Sequence, residues 1–163
     1  MKLYKNILSN EFCDFLIETI KTECTLSELY KKYGWYIWLI WGETSGSKLP
    51  KEKWNYNILN LINEELNKVD SEFKNYKLIW LQMTEYENNR SLRRHVDGAE
   101  NKTFSIILSD GFIGGNTFIN DKDVDLKKGD GVLFDGAFQF HEVKPVTQGV
   151  RYALNFWFHK NIF

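Results

Sequence analysis

The stretch from residue 139 to residue 158 reads QFHEVKPVTQGVRYALNFWF, and it decides the fold class. Its second half, residues 150–158, has the pattern of a β-strand, in which successive side chains lie on opposite faces. One face carries only apolar and aromatic residues, which is typical of a face that packs against a second layer. The other face begins with Arg151, which is therefore predicted to point into the interior of a β-barrel. The turn residues Thr-Gln-Gly at 147–149 separate this strand from an earlier strand that carries His141.

The preceding residues predict helices first and short strands afterwards. Ser9 is a good N-cap, and apolar residues recur at helical spacing as far as Ile20, so the first element is predicted to be an amphipathic helix. A second helix is predicted after Trp54, with an apolar stripe that ends at Val69, and residues 33–41 are predicted to form a strand. The strands predicted beyond these are Leu78–Tyr86, Thr103–Leu108, Asn116–Ile119, Val124–Leu126, Val132–Phe134, Gln139–Val143 and Val150–Phe158.

This order of elements favours a mainly β fold with N-terminal helices, in which a β-sandwich or a jelly-roll barrel forms the core. A chain of 163 residues has the size of one ordinary domain. We therefore predict a single domain over residues 1–163. Within it, residues 1–75 or so are predicted to form a helical buttress and residues from about 76 to 163 the jelly-roll core.

Composition and charge exclude several classes of protein. The formal net charge is −1, which gives no electrostatic reason to expect binding to nucleic acid or to an anionic membrane. The most apolar stretch, residues 35–41, is far too short to span a bilayer, so no membrane association is expected. Cys13 and Cys24 are too few for a disulfide framework. We expect both to be reduced thiols in a cytoplasmic compartment; the sequence gives no indication of the oligomeric state.

The candidate metal ligands are His95, Asp97 and His141, which include two of the three histidines of the chain. On an extended backbone residues 95 and 97 project from the same face, so both side chains can reach one metal ion. Most isolated His-x-Asp tripeptides are ordinary loop residues. A second histidine in a later strand changes the interpretation, because two imidazoles and one carboxylate form the facial triad of non-haem iron(II) sites.

Arg151 is the candidate anchor for a second ligand. A guanidinium inside a barrel needs an anionic partner, since an unpaired buried charge costs several kcal/mol. Its planar fork suits a carboxylate well. The partner is either the carboxylate of a bound co-substrate or an aspartate or glutamate of the protein itself.

The segment from Tyr86 to Trp157 resembles the iron(II)- and 2-oxoglutarate-dependent dioxygenases, in particular their prolyl 4-hydroxylase-like branch. The matching motifs are His95-Val96-Asp97, Gly114-Gly115-Asn116-Thr117-Phe118, Lys128-Gly129-Asp130, His141-Glu142-Val143 and Gly149-Val150-Arg151-Tyr152, followed by Trp157. The resemblance implies a double-stranded β-helix, a cupin-like jelly roll, with iron(II) at its mouth.

The resemblance also implies the chemistry. The chain would hydroxylate an unactivated C–H bond while 2-oxoglutarate and O2 are converted to succinate and CO2. Arg151 would bind the far carboxylate of 2-oxoglutarate. Tyr86 lies where the family often has a tyrosine near the co-substrate, and Thr84 could supply a further hydroxyl. Asp97 is retained, whereas halogenating relatives have a small residue there, which favours a hydroxylase.

The primary substrate is predicted less directly. The leading hypothesis is a prolyl or other side chain of a peptide or protein. The alternatives are a free amino acid, a small molecule or a nucleobase, or a catalytically silent binding module. A second arginine after Arg151, usual in nucleic-acid demethylases, is missing. Asn155 and Trp157 share the inward face with Arg151 and are candidate substrate contacts. Arg90, Arg93 and Arg94 form a basic cluster just before the first metal ligand, and this cluster, Arg90 and Arg93 in particular, is expected to attract an acidic substrate.

Overall fold

The computed structural model describes residues 1–43, 48–98 and 101–160. In that part of the chain the helices are α1 (Asn10–Glu23), α2 (Glu28–Lys31) and α3 (Tyr56–Val69), with 3-10 helices at Lys51–Lys53 and Ser71–Asn75. The strands are β1 (Lys2–Tyr4), β2 (Thr25–Leu26), β3 (Tyr36–Gly42), β4 (Tyr76–Tyr86), β5 (Leu92–His95), β6 (Asn101–Ile107), β7 (Ile113–Gly114), β8 (Thr117–Ile119), β9 (Lys122–Asp123), β10 (Gly131–Phe134), β11 (His141–Val143), β12 (Val146–Gln148) and β13 (Arg151–Lys160).

The strands form two main sheets. The major sheet has seven strands in the order β1-β10-β6-β13-β4-β3-β2, and the minor sheet has four in the order β5-β11-β8-β9. A two-stranded ladder joins β12 and β7. Every described pair is antiparallel. The prediction of a mainly β fold with N-terminal helices is confirmed.

Helices α1 and α3 cover the outer face of the major sheet. The predicted N-cap of α1 is confirmed, since the Ser9 hydroxyl accepts a hydrogen bond from the Phe12 N–H (3.1 Å). In α3 the Asn55 side chain, for which no capping role was predicted, accepts one from the Ile58 N–H (2.9 Å). The apolar stripes of both helices are buried against one side of the central strand β13. The shared core contains Leu16, Ile20, Ile58, Ile62, Leu66, Leu154, Phe156 and Phe158. Both helices and the core face of β13 are confirmed, but the buried stripe of α3 ends at Leu66, because Val69 is 49% exposed.

One predicted strand is wrong. Residues 124–126 are not a strand; the pairing falls earlier, at Lys122–Asp123. Asn120 and Asp121 both have positive φ, which is the geometry of a two-residue hairpin turn. Asp125 again has positive φ (46°), so the extended conformation ends before the predicted strand could form.

The N-terminal half also contributes to the major sheet, which the sequence did not predict for β1. Strand β1 pairs with β10 and β3 pairs with β4. The predicted division near residue 75 therefore does not separate a helical layer from a sheet layer. That residues 1–163 form a single domain stays a prediction.

A buried carboxylate, Asp130, attaches the N-terminus to the turn before β10. It accepts hydrogen bonds from the backbone N–H groups of Asn6 (2.9 Å) and Lys127 (3.0 Å) and from the ammonium of Lys5 (2.9 Å). Burial alone would raise the pKa of Asp130, but these donors outweigh it, so the pKa is lowered. In the described residues, no helix combines the length and apolar character needed to cross a membrane.

Candidate functional site

The three predicted metal ligands meet where β5 and β11 pair. His95 ends β5, His141 begins β11, and the two are register partners. Asp97 follows in the loop after β5. Its Oδ1 lies 3.4 Å from Nε2 of His95 and 3.3 Å from Nε2 of His141. One ligand atom from each residue lies within 4.8 Å of the others, so the structure brings the predicted triad together.

Hydrogen bonds on the far side of each imidazole set its orientation. Nδ1 of His95 lies 2.7 Å from the Arg93 carbonyl, and Nδ1 of His141 lies 2.9 Å from the Gln139 carbonyl. Because a carbonyl can only accept, Nδ1 carries the proton in both rings, and Nε2 of the neutral ring presents a lone pair. Two nitrogen lone pairs and a carboxylate oxygen then converge, and such a donor set fits a divalent iron ion.

The carboxylate of Asp97 strongly affects its surroundings. Burial would raise the pKa of Asp97, but His141 and His95, which donate to it when Nε2 is protonated, and the Thr103 hydroxyl lower it well below its usual range. The same contact with Asp97 raises the pKa of His95, an effect that burial opposes. Asp97 therefore stays ionised, and protons compete with a metal ion for the space between the three side chains.

The second oxygen of Asp97, Oδ2, faces away from the imidazoles. It accepts hydrogen bonds from the Thr103 hydroxyl (2.5 Å) and the Trp157 indole N–H (3.1 Å). The backbone of Gly136 closes on the same carboxylate, and its carbonyl accepts the Asp97 N–H (2.7 Å). A Cβ built on Gly136 would lie under 3.0 Å from both Asp97 Oδ2 and Thr103 Oγ1, so only glycine fits without displacement.

Arg151 is a buried cation without an anionic partner in the described residues. It is 2% exposed and begins β13 opposite Tyr86, the last residue of β4. Its Nη2 donates to the Thr117 hydroxyl on β8 (3.0 Å), whereas its Nε has no hydrogen-bond partner. No described carboxylate forms a salt bridge with it. Burial lowers the pKa of Arg151 to about 10, so the guanidinium remains charged at neutral pH.

A cavity of about 190 Å³ connects the triad with Arg151. Of the residues predicted to bind co-substrate or substrate, Thr84, Tyr86, Asn155 and Trp157 line it. Trp35, one of the tryptophans that could line a groove, also lines it, and no binding role was predicted for other lining residues, among them Tyr30, Gln82, Thr103, Ser105, Thr117 and Phe134. Alternation along β4 and β6 could have found Gln82, Thr103 and Ser105. A second cleft, larger at about 630 Å³, contains neither the triad nor Arg151.

The predicted basic cluster does not line this cavity. The guanidinium of Arg90 packs against Gly34, in the turn before β3, so closely that a Cβ on Gly34 would overlap it. Arg94 pairs with Asp121 (3.2 Å) and lies 4.0 Å above the Phe140 ring. Arg93 is exposed. Two of the three cations are therefore committed to contacts within the protein.

Comparison with known proteins agrees with this geometry. The sequence model of the 2OG-Fe(II) oxygenase superfamily matches residues 81–159, which include the triad and Arg151. No curated protein matches the sequence.

Solved structures with the same fold include prolyl hydroxylases. A 2OG-Fe(II) oxygenase-family oxidoreductase from Burkholderia pseudomallei aligns with a TM-score of 0.74 and 15% identity over 98% of this chain and 84% of that one. The viral collagen prolyl hydroxylase of Paramecium bursaria Chlorella virus-1 aligns at 0.69 and 16% over 99% and 96%. A Trichoplax adhaerens prolyl hydroxylase, in complex with a peptide fragment of the hypoxia inducible factor oxygen degradation domain, aligns at 0.65 and 17% over 98% and 83%.

These likenesses confirm the double-stranded β-helix fold, and the family match confirms the predicted resemblance. The superfamily uses Fe(II), 2-oxoglutarate and O2, and the His95, Asp97 and His141 cluster is present to receive the metal. The chain is therefore an oxidoreductase whose residues 81–159 match the 2OG-Fe(II) oxygenase superfamily.

Proposed function

We propose that this chain hydroxylates a side chain of a peptide or protein, with proline as the leading candidate. The observation that carries the proposal is the shared cavity: a two-histidine, one-carboxylate cluster at one part of its wall and an unpaired buried arginine at another. A ligand that chelates a metal and also ends in a carboxylate would satisfy both. 2-Oxoglutarate has that shape and charge.

In the proposed metal centre, His95, Asp97 and His141 each supply one ligand atom to iron(II). When bound, the iron couples O2 to the oxidative decarboxylation of 2-oxoglutarate and to oxidation of a substrate C–H bond. The carbonyls of Arg93 and Gln139 hold the two imidazoles in the tautomer that coordinates through Nε2. The protein's contribution is binding, orientation and exclusion of water.

Arg151 is proposed to bind the distal carboxylate of the co-substrate. Its Nε is free to donate, and a carboxylate there would receive a charge-assisted hydrogen bond in a buried setting. Tyr86, opposite Arg151 in the β4–β13 ladder, is also buried and lines the cavity. Thr117, which touches Arg151 directly, is a better candidate for the additional hydroxyl than Thr84, whose hydroxyl donates to the Ala153 carbonyl (3.4 Å).

The size of the cavity supports a substrate that inserts a single side chain. The cavity measures about 190 Å³, and bound 2-oxoglutarate would fill part of it, so little space remains for a primary substrate larger than one side chain. Trp157 and Asn155 line it on β13, and Trp35 and Tyr30 add aromatic surface. The Trichoplax protein, which shares the fold, was solved with a peptide. A peptide main chain would stay outside the cavity while one side chain enters.

The proposed compartment is the cytoplasm. Cys13 is buried, and burial raises the pKa of its thiol to about 11. Cys24 is also a free thiol, and its pKa is raised to about 12 by burial. Both thiols are free rather than joined in a disulfide, which suits a reducing compartment.

The test is mass spectrometry on arrayed peptides incubated with the enzyme, Fe(II) and 2-oxoglutarate. We expect a gain of one oxygen atom on peptides that contain the preferred residue, with succinate formed alongside. A parallel array in which alanine replaces each proline decides whether proline is the oxidised residue, and a mixture of free amino acids tests the small-molecule alternative. If the protein binds a metal through the triad yet never forms succinate, it is a binding module and the proposal fails.

A further inference from the structure

The two oxygens of Asp97 have different environments. Oδ1 faces the Nε2 atoms of His95 and His141 at 3.4 and 3.3 Å. Oδ2 is occupied by the Thr103 hydroxyl and the Trp157 indole N–H. Since both donors point at an ionised acceptor, these hydrogen bonds are of the stronger, charge-assisted kind.

The two donors belong to a different sheet from the metal ligands. Thr103 lies on β6 and Trp157 on β13, and they are register partners in the major sheet. His95 and His141 belong to the minor sheet, and Asp97 follows β5. The contact therefore fixes a loop carboxylate to the middle of the larger, helix-backed sheet.

Gly136 completes the enclosure from the third side. Its carbonyl fixes the Asp97 backbone, and its Cα lies so close to Oδ2 that no side chain fits between them. This restriction is steric rather than conformational, because Gly136 is not among the glycines with positive φ.

We propose that Thr103, Trp157 and Gly136 form a clamp that leaves a single oxygen of Asp97 for the metal, which makes them positioning residues of the centre. The inference rests on the proposed function of the triad. A carboxylate that bound through both oxygens would take a fourth coordination position. The clamp keeps three positions of an octahedron open, which a chelating co-substrate and O2 both require. Outer contacts of this kind usually affect metal affinity about 10- to 100-fold.

The test is titration of the apoprotein with Co(II), whose visible absorption reports both affinity and coordination number. Thr103→Val and Trp157→Phe remove one donor each but keep the bulk of the side chain. We expect each to raise the Kd for Co(II) about tenfold and the double variant up to about 100-fold, with an absorption spectrum that changes from that of the wild type. Thr103→Ser keeps the hydroxyl and should restore the affinity. Gly136→Ala should resemble Thr103→Val.

Ser105→Ala is the matched control. Ser105 lies on the same face of β6 and lines the same cavity, but its hydroxyl donates to Asn155 (2.7 Å) instead of Asp97. Its Kd and Co(II) spectrum should equal those of the wild type. Unchanged affinity and spectrum in both Thr103→Val and Trp157→Phe would overturn the clamp, as would an equal loss in Ser105→Ala. If Thr103→Val fails to fold, Trp157→Phe and Thr103→Ser decide alone. Wild-type affinity for Co(II) in the double variant His95→Ala, His141→Ala would instead refute the proposed metal site.

Discussion

The two faces of β13 differ in both their contacts and their chemistry. On the outer face Leu154, Phe156 and Phe158 are buried among the side chains of α1 and α3. On the inner face Arg151, Asn155 and Trp157 line the cavity. Neighbouring residues thus serve different purposes, since one face contributes hydrophobic burial of about 1.5–3 kcal/mol per large side chain and the other holds a buried charge at a cost. The same strand stabilises the fold and carries the site.

Because side chains alternate between the two faces, substitutions at odd-numbered positions of β13 should mainly impair function, and those at even-numbered positions should mainly lower stability. Substitutions on the inner side of the barrel should impair ligand binding while the protein stays folded. Substitutions on the outer face should lower stability while the assembled site keeps its properties. The following experiments challenge that separation.

Loss of the metal ligands should have the largest effect. The double variant His95→Ala, His141→Ala is expected to bind iron(II) only as weakly as nonspecific sites on the protein surface do. It should have no detectable turnover, because two of the three protein ligands are gone. Calorimetric metal titration measures the first, and succinate formation the second. Circular dichroism should show the β-fold retained. His159, exposed near the end of β13, is the control histidine, and His159→Ala should behave as wild type. Wild-type iron affinity in the double variant would rule out this site.

Arg151 on the inner face should come next. Arg151→Ala is expected to weaken 2-oxoglutarate binding by about 2–5 kcal/mol, because a buried carboxylate loses its partner. Arg151→Lys should lose less, since a point charge replaces a planar fork. The Michaelis constant for 2-oxoglutarate in the uncoupled reaction measures both. An unchanged constant in Arg151→Ala would mean that the arginine has only a structural role.

Phe156, on the outer face one residue after Asn155, tests the other half of the comparison. Phe156→Ala should lower the free energy of unfolding by about 3–5 kcal/mol, because a fully buried ring is removed from the core. At low temperature, where the variant remains folded, its 2-oxoglutarate affinity should match that of the wild type. Urea denaturation gives the first quantity. A large loss of co-substrate affinity in the folded variant would show that the two faces are not independent.

Asp130, away from both faces of β13, should affect stability in a pH-dependent way. Its pKa is lower in the folded protein than the ordinary value of 3.8, so its contribution is present above that pH and disappears as the pH falls through the folded value. Asp130→Asn should lower the free energy of unfolding by about 1–3 kcal/mol at neutral pH. The difference in unfolding free energy between Asp130→Asn and the wild type should become smaller below about pH 3.8. Urea denaturation across this pH range measures the difference in unfolding free energy, with Asp110→Asn at an exposed position as control. A difference that stays constant with pH would contradict the assignment.

The smallest effect is expected for Arg93, the exposed member of the basic cluster. Arg93→Glu should raise the Michaelis constant for an acidic peptide by a few-fold and leave uncoupled 2-oxoglutarate turnover unchanged, because attraction at the rim is screened within about 8–10 Å. Added salt should remove the difference. Lys74→Glu changes the net charge equally at another exposed position and should have no effect. Equal responses in the two variants would leave no role for the cluster in substrate choice.

Much of the architecture was readable from local patterns. The amphipathic helices α1 and α3 and the alternation of β13 depend on nearby residues, so periodicity predicted them. The grouping of His95, Asp97 and His141 was also predicted, because histidine is rare in this sequence and two of its three histidines belong to the group. Each of these features can be recognised from the types and spacing of residues in the sequence.

What the sequence missed depends on distant contacts. Strand β1 has three residues and exists because β10 is available to pair with it. The position of Arg90 depends on the absence of a side chain at Gly34, and the enclosure of Asp97 depends on Gly136. Tyr30 reaches the cavity from the short helix α2. None of these contacts has a local pattern that a single sequence could display.

The pairing of β5 with β11 has a consequence for how the protein folds. His95 and His141 are register partners from segments far apart in the chain, so the donor set forms only when that long-range ladder closes. Contacts of this kind usually form slowly, after local structure. A metal ion that binds only the completed site would stabilise the native state by RT ln(1 + [M]/Kd), or about 2.7 kcal/mol at a concentration 100 times Kd. The rate of metal binding during refolding would therefore report the rate at which β5 and β11 pair.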